Sequence, residues 1–269
     1  MKMKIGFYGS GNMAQSIIQG LLEKEIYPKE AIVVYNRRYA PTLQKTVETY
    51  GVTPLLDQKE FFESVDTIIL AVKPQVLRTL YTDLQPLLRP NHCLVSLAAG
   101  ITLTELETKL GEQAYIRAMP NTPLAVLEGS IALARNQQVS DEQFAAILDL
   151  FNQIGVAKEL PESLFDAFIG VSGSAPAYVY LFIEALADGA VLEGMPRQMA
   201  YEFAAQTVLG SAKMVLETKE HPGVLKDNVC SPGGTTIEAV KVLEDNHFRS
   251  TVIQAVQAAA QKSRKMNEG

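Results

Sequence analysis

Through the first 160 residues, short apolar runs alternate with longer stretches whose apolar positions recur at helical spacing. The runs KIGFYG, IVVYN, DTIILAV, CLVSLA, YIRAM and SIALAR predict strands. Helices are predicted over residues 12–25, 40–50 and 75–84. Strands that are apolar almost throughout, rather than alternating, belong in a parallel sheet covered on both faces. Past Pro161 the β-rich runs stop. The rest of the chain is rich in Ala and Leu at helical spacing, broken at SGSAP, GMPR, HPG and SPGG. Helices with apolar faces and no sheet of their own predict dimerisation, with a helical cap inside a monomer as the alternative.

Composition narrows the class. A chain of 269 residues that is 47% hydrophobic and 20% charged is long enough for one large or two moderate soluble domains. A net charge of −6 lacks the concentrated basic face that nucleic acid requires. Small anions remain open, because backbone amides bind them whatever the net charge. MKMKIGFYGS has no apolar run suited to a signal peptide. The uncharged run 167–183 is interrupted by Ser172, Gly173, Ser174 and Pro176, which predicts a buried or interfacial helix rather than a membrane span. Cys93 and Cys230 show neither a disulfide framework nor metal-ligand spacing. A cytoplasmic location without a bound metal is expected.

The first candidate site is a glycine turn. Gly9, Ser10, Gly11, Asn12, Met13 and Ala14 fit G-x-G-x-x-G/A between a predicted strand and a predicted helix. The first glycine makes the tight turn, the second admits a pyrophosphate, and the small third residue lets helix and strand pack closely. The helix start then offers amides and a positive dipole end to the phosphates. The predicted fold is therefore α/β, a Rossmann-type domain over residues 1–160 with a mostly parallel sheet, then an all-helical substrate-binding and dimerisation domain over residues 161–269.

At the end of the second predicted strand stand Asn36, Arg37 and Arg38, where an NAD site usually has an acid. A carboxylate would repel a ribose 2′-phosphate, whereas amide and guanidinium groups hold one. NADPH is expected, with NADH less favoured; the alternative is a solvated surface turn. Acid–base equipment is sparse. His92 and His247 lie in polar turns and are read as surface residues, and His221 as marking a helix end. Hydride transfer to a carbon already activated needs little beyond alignment, so reduction of an electrophile such as a C=N bond fits better than hydrolysis.

A second glycine turn, SPGGTTIEAV, opens a late helix. Thr235 is predicted as its N-cap, with Glu238 completing a capping box. Amides around Gly234, Thr235 and Thr236 would then suit a carboxylate. An ordinary capped helix is the alternative.

These segments, taken together, resemble pyrroline-5-carboxylate reductases nearly end to end. The resemblance is carried by GSGNMA, AVKPQ, SLAAGI, RAMPNTP, SGSAPAY, ALADGAVLEGMPR and, most specifically, HPGVLKDNVCSPGGTTIEA. It implies reduction of 1-pyrroline-5-carboxylate to L-proline, the last step of proline biosynthesis. A homodimer of interleaved helical domains is implied, five of which form a decamer in many members. Gly9 to Ala14 would cradle the pyrophosphate and Asn36 to Arg38 would meet the adenosine ribose or its phosphate. Ala71, Val72, Lys73, Pro74, Ala98 and Ala99 would line the path to the nicotinamide, and Asn228 would reach the cofactor. Glu162, Gly234, Thr235 and Thr236 would bind substrate, with Thr236 as the catalytic candidate at the ring nitrogen. Gln58 stands where many members carry a cofactor-contacting Asn, and Thr235 where some carry a smaller residue. A β-hydroxyacid dehydrogenase would have a lysine in the stretch GVSGSAPAYVYLF, which has none. A cofactor-binding regulatory relative without turnover is the other rival, against which the intact SPGGTT segment speaks.

Overall fold

The computed structural model describes residues 4–267. Its first elements are β1 (Ile5–Tyr8), α1 (Asn12–Glu23), β2 (Ile32–Tyr35), α2 (Gln44–Tyr50), β3 (Thr53–Leu55), α3 (Gln58–Ser64) and β4 (Thr67–Leu70). Next come α4 (Pro74–Leu84), β5 (Cys93–Ser96), α5 (Leu103–Leu110), β6 (Ala114–Pro120), β7 (Gly129–Arg135), α6 (Asp141–Asn152) and β8 (Gly155–Glu159). The remainder is helical: α7 (Phe165–Phe168), α8 (Ala175–Leu192), α9 (Arg197–Thr218), α10 (Pro222–Val229), α11 (Thr235–Asp245) and α12 (Phe248–Asn267).

The strands form one eight-stranded sheet in the order β3-β2-β1-β4-β5-β6-β7-β8. Every residue of β1, β2, β4 and β5 is buried, as strands covered on both faces require. Successive residues serve opposite cores. Ile5, Phe7, Ile32 and Val34 join the core shared with α1 and α6, whereas Tyr8, Val33, Tyr35 and Ile68 join the one shared with α3, α4 and α5. Gly6 is needed for that second face, because a Cβ there would lie 2.7 Å from the Phe61 ring. All pairings are parallel except β6 with β7. The link between those two is short, residues 121–128 with a 3-10 helix at Thr122–Val126, whereas a parallel crossover needs about a dozen residues or more.

Two strands went unpredicted, β3 (TPL) and β8 (GVAKE). Both are edge strands, which need only one hydrogen-bonding side and one apolar face, so Pro54 and the charged Lys158 and Glu159 are tolerated. The helix expected from residue 40 begins as α2 only at Gln44. Ala40, at φ −92° and ψ 149°, is extended, because the residue before a proline is disfavoured in the helical region.

Contacts divide the chain later than the last β-rich run. One compact unit runs to Gly173 and includes the residues from Ala259 on; the other is Ser174–Ala258. The segment after β8 belongs with the sheet because Phe165 is buried in the second core and Ser172 is held by Asn121 Nδ2. The final turns of α12 join the same unit, where Ser263 Oγ donates to Asp166 Oδ1 at 2.6 Å.

Within the second unit, α8 and α9 pack through Ala187, Ala200 and Ala204, small residues that let helix backbones approach closely. Arg197 and Asp188 form an ion pair beside this contact. Most of α8 is uncovered: Tyr180 is 60% and Leu181 67% exposed, so the apolar run is not buried within one chain. By length and composition alone, the stretch Glu162–Leu192 is apolar enough to cross a membrane.

Candidate active site

Three loops leave the carboxyl edge of the sheet side by side. Gly9 N donates to Tyr35 O at 2.9 Å, Ala71 N to Tyr8 O at 3.0 Å and Leu97 N to Leu70 O at 3.1 Å. The order β2-β1-β4 reverses the chain's direction of travel between β1 and β4. In open α/β sheets, ligands bind at that reversal, outside the strand ends.

Gly9 has φ +110°, and a Cβ there would lie 2.8 Å from Ala71 O, so only glycine fits the turn. At Gly11 the nearest atom to an added Cβ is Ala71 O at 4.0 Å, which leaves the approach to the start of α1 open. Ser10 is 2% exposed and its Oγ has no hydrogen-bond partner, while its carbonyl accepts from Gln15 Nε2 at 2.8 Å. Gly11 caps α1 without any side-chain bond, so the first-turn amides at Asn12 and Met13 lack an internal acceptor. An orphaned hydroxyl, free amides and an uncrowded glycine together fit a dinucleotide's pyrophosphate. Met13 turns its side chain to the core, and Ala14, fully buried, is the small residue that seats α1 on the sheet.

Beside Gly9 opens a cavity of about 450 Å³ lined by Tyr8, Tyr35, Asn36, Arg37, Gln58 and Val72, with one face of α4 opposite. Asn36 and Arg37 therefore share a cavity with the glycine turn, and Arg38 stands outside its lining. Gln58 Nε2 donates to Tyr8 Oη at 3.2 Å, and the Tyr8 and Tyr35 rings stack at 4.7 Å. Burial, then the neighbouring Tyr35, raises the Tyr8 pKa, so its hydroxyl stays protonated at neutral pH. Tyr8, Tyr35 and the α4 face were not singled out from sequence. Val76, Thr79, Leu80 and Asp83 line the cavity at i, i+3, i+4 and i+7, a spacing that could have pointed to that face.

Lys73 precedes α4 as its N-cap, with Pro74 at the first helical position. Ala71 and Val72 are half-buried beside it, while Ala98 is buried and Ala99 packs on the second core. Glu162 is not a free carboxylate. Its Oε1 accepts from Arg117 Nη1 at 2.9 Å and from Leu103 N, at the start of α5, also at 2.9 Å. Arg117 is 2% exposed and lies 4.6 Å above the Phe165 ring, a buried partner not foreseen from the motif RAMPNTP.

In the second unit, Asn228 lies exposed in the last turn of α10. The turn after it closes with Gly234 N donating to Ser231 O at 3.0 Å. Gly233 has φ +64°, a conformation that favours glycine, whereas a Cβ on Gly234 would meet Ser231 Oγ at 2.5 Å, a contact that side chain can turn to relieve. The N-cap of α11 is Gly234, not Thr235, and no side chain caps it. Thr235 is the first helical residue, which puts Glu238 one position too far along for the expected capping box. The amides of Thr235, Thr236 and Ile237 are consequently left for an external anion.

His92, expected at the surface, is fully buried. Its Nδ1 accepts from Arg89 N at 3.1 Å, and its Nε2 lies 2.9 Å from Phe62 O. Burial, reinforced by the Arg89 charge, lowers its pKa. His221 does mark a helix end, accepting from Gly223 N at 3.0 Å as the N-cap of α10.

Known proteins share this arrangement. Residues 162–266 match the family model for pyrroline-5-carboxylate reductase dimerisation, and residues 4–100 that for NADP oxidoreductase, coenzyme F420-dependent. The chain is 45% identical to the pyrroline-5-carboxylate reductase of Escherichia coli over 273 aligned positions, covering 100% of both proteins. Among solved structures, the Coxiella burnetii pyrroline-5-carboxylate reductase superposes with a TM-score of 0.91 at 34% identity, covering 99% of each chain. The Plasmodium falciparum pyrroline carboxylate reductase, solved with NADP bound, superposes with a TM-score of 0.88 at 34% identity, covering 99% of this chain and 98% of that one. By identity, coverage and fold, the chain belongs to the pyrroline-5-carboxylate reductase family.

Proposed function

We propose that the protein reduces 1-pyrroline-5-carboxylate to L-proline with NADPH, as a cytoplasmic homodimer. The observation that carries this reading is a pair of open helix starts. One, at Gly9–Ala14, has the orphaned Ser10 hydroxyl; the other, at Gly234–Thr236, lacks a side-chain cap. The first suits a pyrophosphate and the second a carboxylate. The redox chemistry then needs no histidine or metal-type cluster from the chain.

When bound, the reduced nicotinamide supplies a hydride to the imine carbon of the substrate. Ser10 and the amides of Asn12 and Met13 hold the phosphates, and Asn36 and Arg37 take the adenosine ribose with its 2′-phosphate. Ala71 to Pro74, Ala98 and Ala99 wall the reacting end, and Asn228 adds a contact. The amides of Thr235 and Thr236 hold the substrate carboxylate beside Gly234, whose own N–H is taken by Ser231 O. The Thr236 hydroxyl bonds the ring nitrogen, which becomes a secondary amine after arriving protonated or gaining its proton through Thr236 or water. Glu162 supports the site through Arg117 and Leu103 N, its bonds in this structure.

The exposed apolar side chains of α8 are taken by a second copy of the chain rather than by a membrane, and a decamer assembles from such dimers. The net charge of −6 fits a small-molecule enzyme without a nucleic-acid partner. The test is loss of NADPH absorbance on adding the imine acid, with NADH run in parallel. Rapid imine-dependent oxidation is expected, with the larger kcat/KM for NADPH. Tight NADPH binding without turnover would favour a regulatory relative. Thr236→Ala should lower kcat by about ten- to hundredfold, the rate equivalent of one lost hydrogen bond, with Tm unchanged; unchanged kcat and KM would remove Thr236 from the mechanism.

A further inference from the structure

The segments after β4 and β5 are joined by a side chain that takes no part in the chemistry just described. Arg78, in the second turn of α4, donates from Nε to Glu105 Oε1 at 3.0 Å and from Nη2 to Glu105 Oε2 at 3.2 Å. The same Nη2 donates to Gly100 O at 3.2 Å, and Tyr81 Oη donates to Glu105 Oε1 at 2.9 Å. Gly100 is buried at φ +75°, so its carbonyl is aimed by a backbone conformation that favours glycine. Thr102 and Glu105 have capping-box spacing, and Thr102 Oγ1 does accept from Glu105 N at 3.0 Å. The Glu105 carboxylate nevertheless crosses to α4 instead of returning to its own helix start. Burial raises the Glu105 pKa, but the bonds from Arg78 and Tyr81 outweigh it and hold the group below its usual value.

A partly exposed ion pair contributes little stability by itself, and Arg78 is 34% exposed. The bond to the Gly100 carbonyl adds something a surface pair does not need, a fixed spacing between two loops. In this type of sheet the adenosine ribose lies at the end of β2 and the phosphates at the start of α1, so the cofactor's other half crosses the ends of β4 and β5. Resting on the proposed use of NADPH, we propose that Arg78 is a positioning residue. Its clamp on Gly100 and Glu105 fixes the backbone of residues 98–100 against the loop after β4, and so the alignment of the reacting ring with the imine.

The test uses full-length Arg78→Met and Arg78→Lys. Hydrogen–deuterium exchange over residues 97–103 is read without cofactor, NADPH affinity by calorimetry, and kcat with its isotope effect from 4-deuterated NADPH. For Arg78→Met, faster exchange in that segment is expected, with NADPH Kd within about threefold of wild type, kcat about tenfold lower and a larger isotope effect. Arg78→Lys, which keeps the charge without the fork, should recover part of the rate. Unchanged exchange, kcat and isotope effect in a folded Arg78→Met protein overturn the clamp, as does a loss confined to NADPH affinity. If Arg78→Met does not fold, Glu105→Gln is read by the same criteria. A wild-type protein that neither binds NADPH nor reduces the imine refutes the functional reading itself, and the clamp falls with it.

Discussion

Removing the Glu162 carboxylate decides between two roles for it, contact with substrate and support of a buried charge. Arg117 is 2% exposed, and its Nε and Nη2 have no hydrogen-bond partners, so Nη1 to Glu162 Oε1 is its one such bond among the described residues. Glu162→Ala would leave that guanidinium facing only the Phe165 ring, 4.6 Å away. Breaking a buried pair from one side costs about 3–5 kcal/mol. Because the Glu162 side chain is 25% exposed, water can partly replace it, and the lower end, about 3 kcal/mol, applies. Freeing Leu103 N at the start of α5 adds up to about 1 kcal/mol. For a unit of this size, a total of about 3–4 kcal/mol corresponds to a Tm lower by about 6–16 °C. Glu162→Gln keeps an acceptor and should lose about 1–2 kcal/mol. The chain has no tryptophan, so thermal and urea unfolding are monitored by far-ultraviolet circular dichroism, beside steady-state kinetics. A Glu162→Ala protein with Tm within about 2 °C of wild type and a raised imine KM would refute the support role and return Glu162 to the substrate.

Three further outcomes are expected. Gly9→Ala, strained at φ +110° and 2.8 Å from Ala71 O, should weaken NADPH binding by about tenfold or more and lower Tm, whereas Gly11→Ala, with open space around it, should weaken binding at unchanged Tm. Calorimetry and thermal scans separate the two. Arg37→Ala should cut the NADPH over NADH preference in kcat/KM by about tenfold, the loss of one charge-assisted bond; an unchanged ratio would remove Arg37 from 2′-phosphate recognition. The depressed pKa of His92 means that the unfolded chain takes up its proton first as pH falls. Its stabilising contribution is complete above about pH 6.5 and is lost as pH drops through the lower folded value. His92→Asn should flatten urea-unfolding stability over that window, and an unaltered slope would assign it to another group.

How much was legible in advance depended on how local the cause was. The four apolar residues of β1 and the glycine turn after it act over neighbouring positions, through strand burial and the φ that Gly9 must adopt, so pattern alone located them. The same holds for Gly233. Edge strands escaped because β3 and β8 need only one paired side, which admits Pro54 and Lys158 where a central strand would not. His92 reads as a turn residue in RPNH, and only the packing of Phe62 and Arg89 around it makes it a buried neutral ring. The capping box at Thr235 was a sound local pattern displaced by one residue, because Gly233 and Gly234 bend the backbone until Gly234 takes the cap. Arg78 reaches Glu105 across 27 residues and Arg117 reaches Glu162 across 45. No periodicity encodes such pairings. The sequence by itself determined the six inner strands and the two glycine turns, set by short-range sterics and burial, and its motifs pointed to the family. The tertiary structure alone decided which carboxylates are held and which amides stay open, because those depend on strand order and on side chains meeting from distant segments.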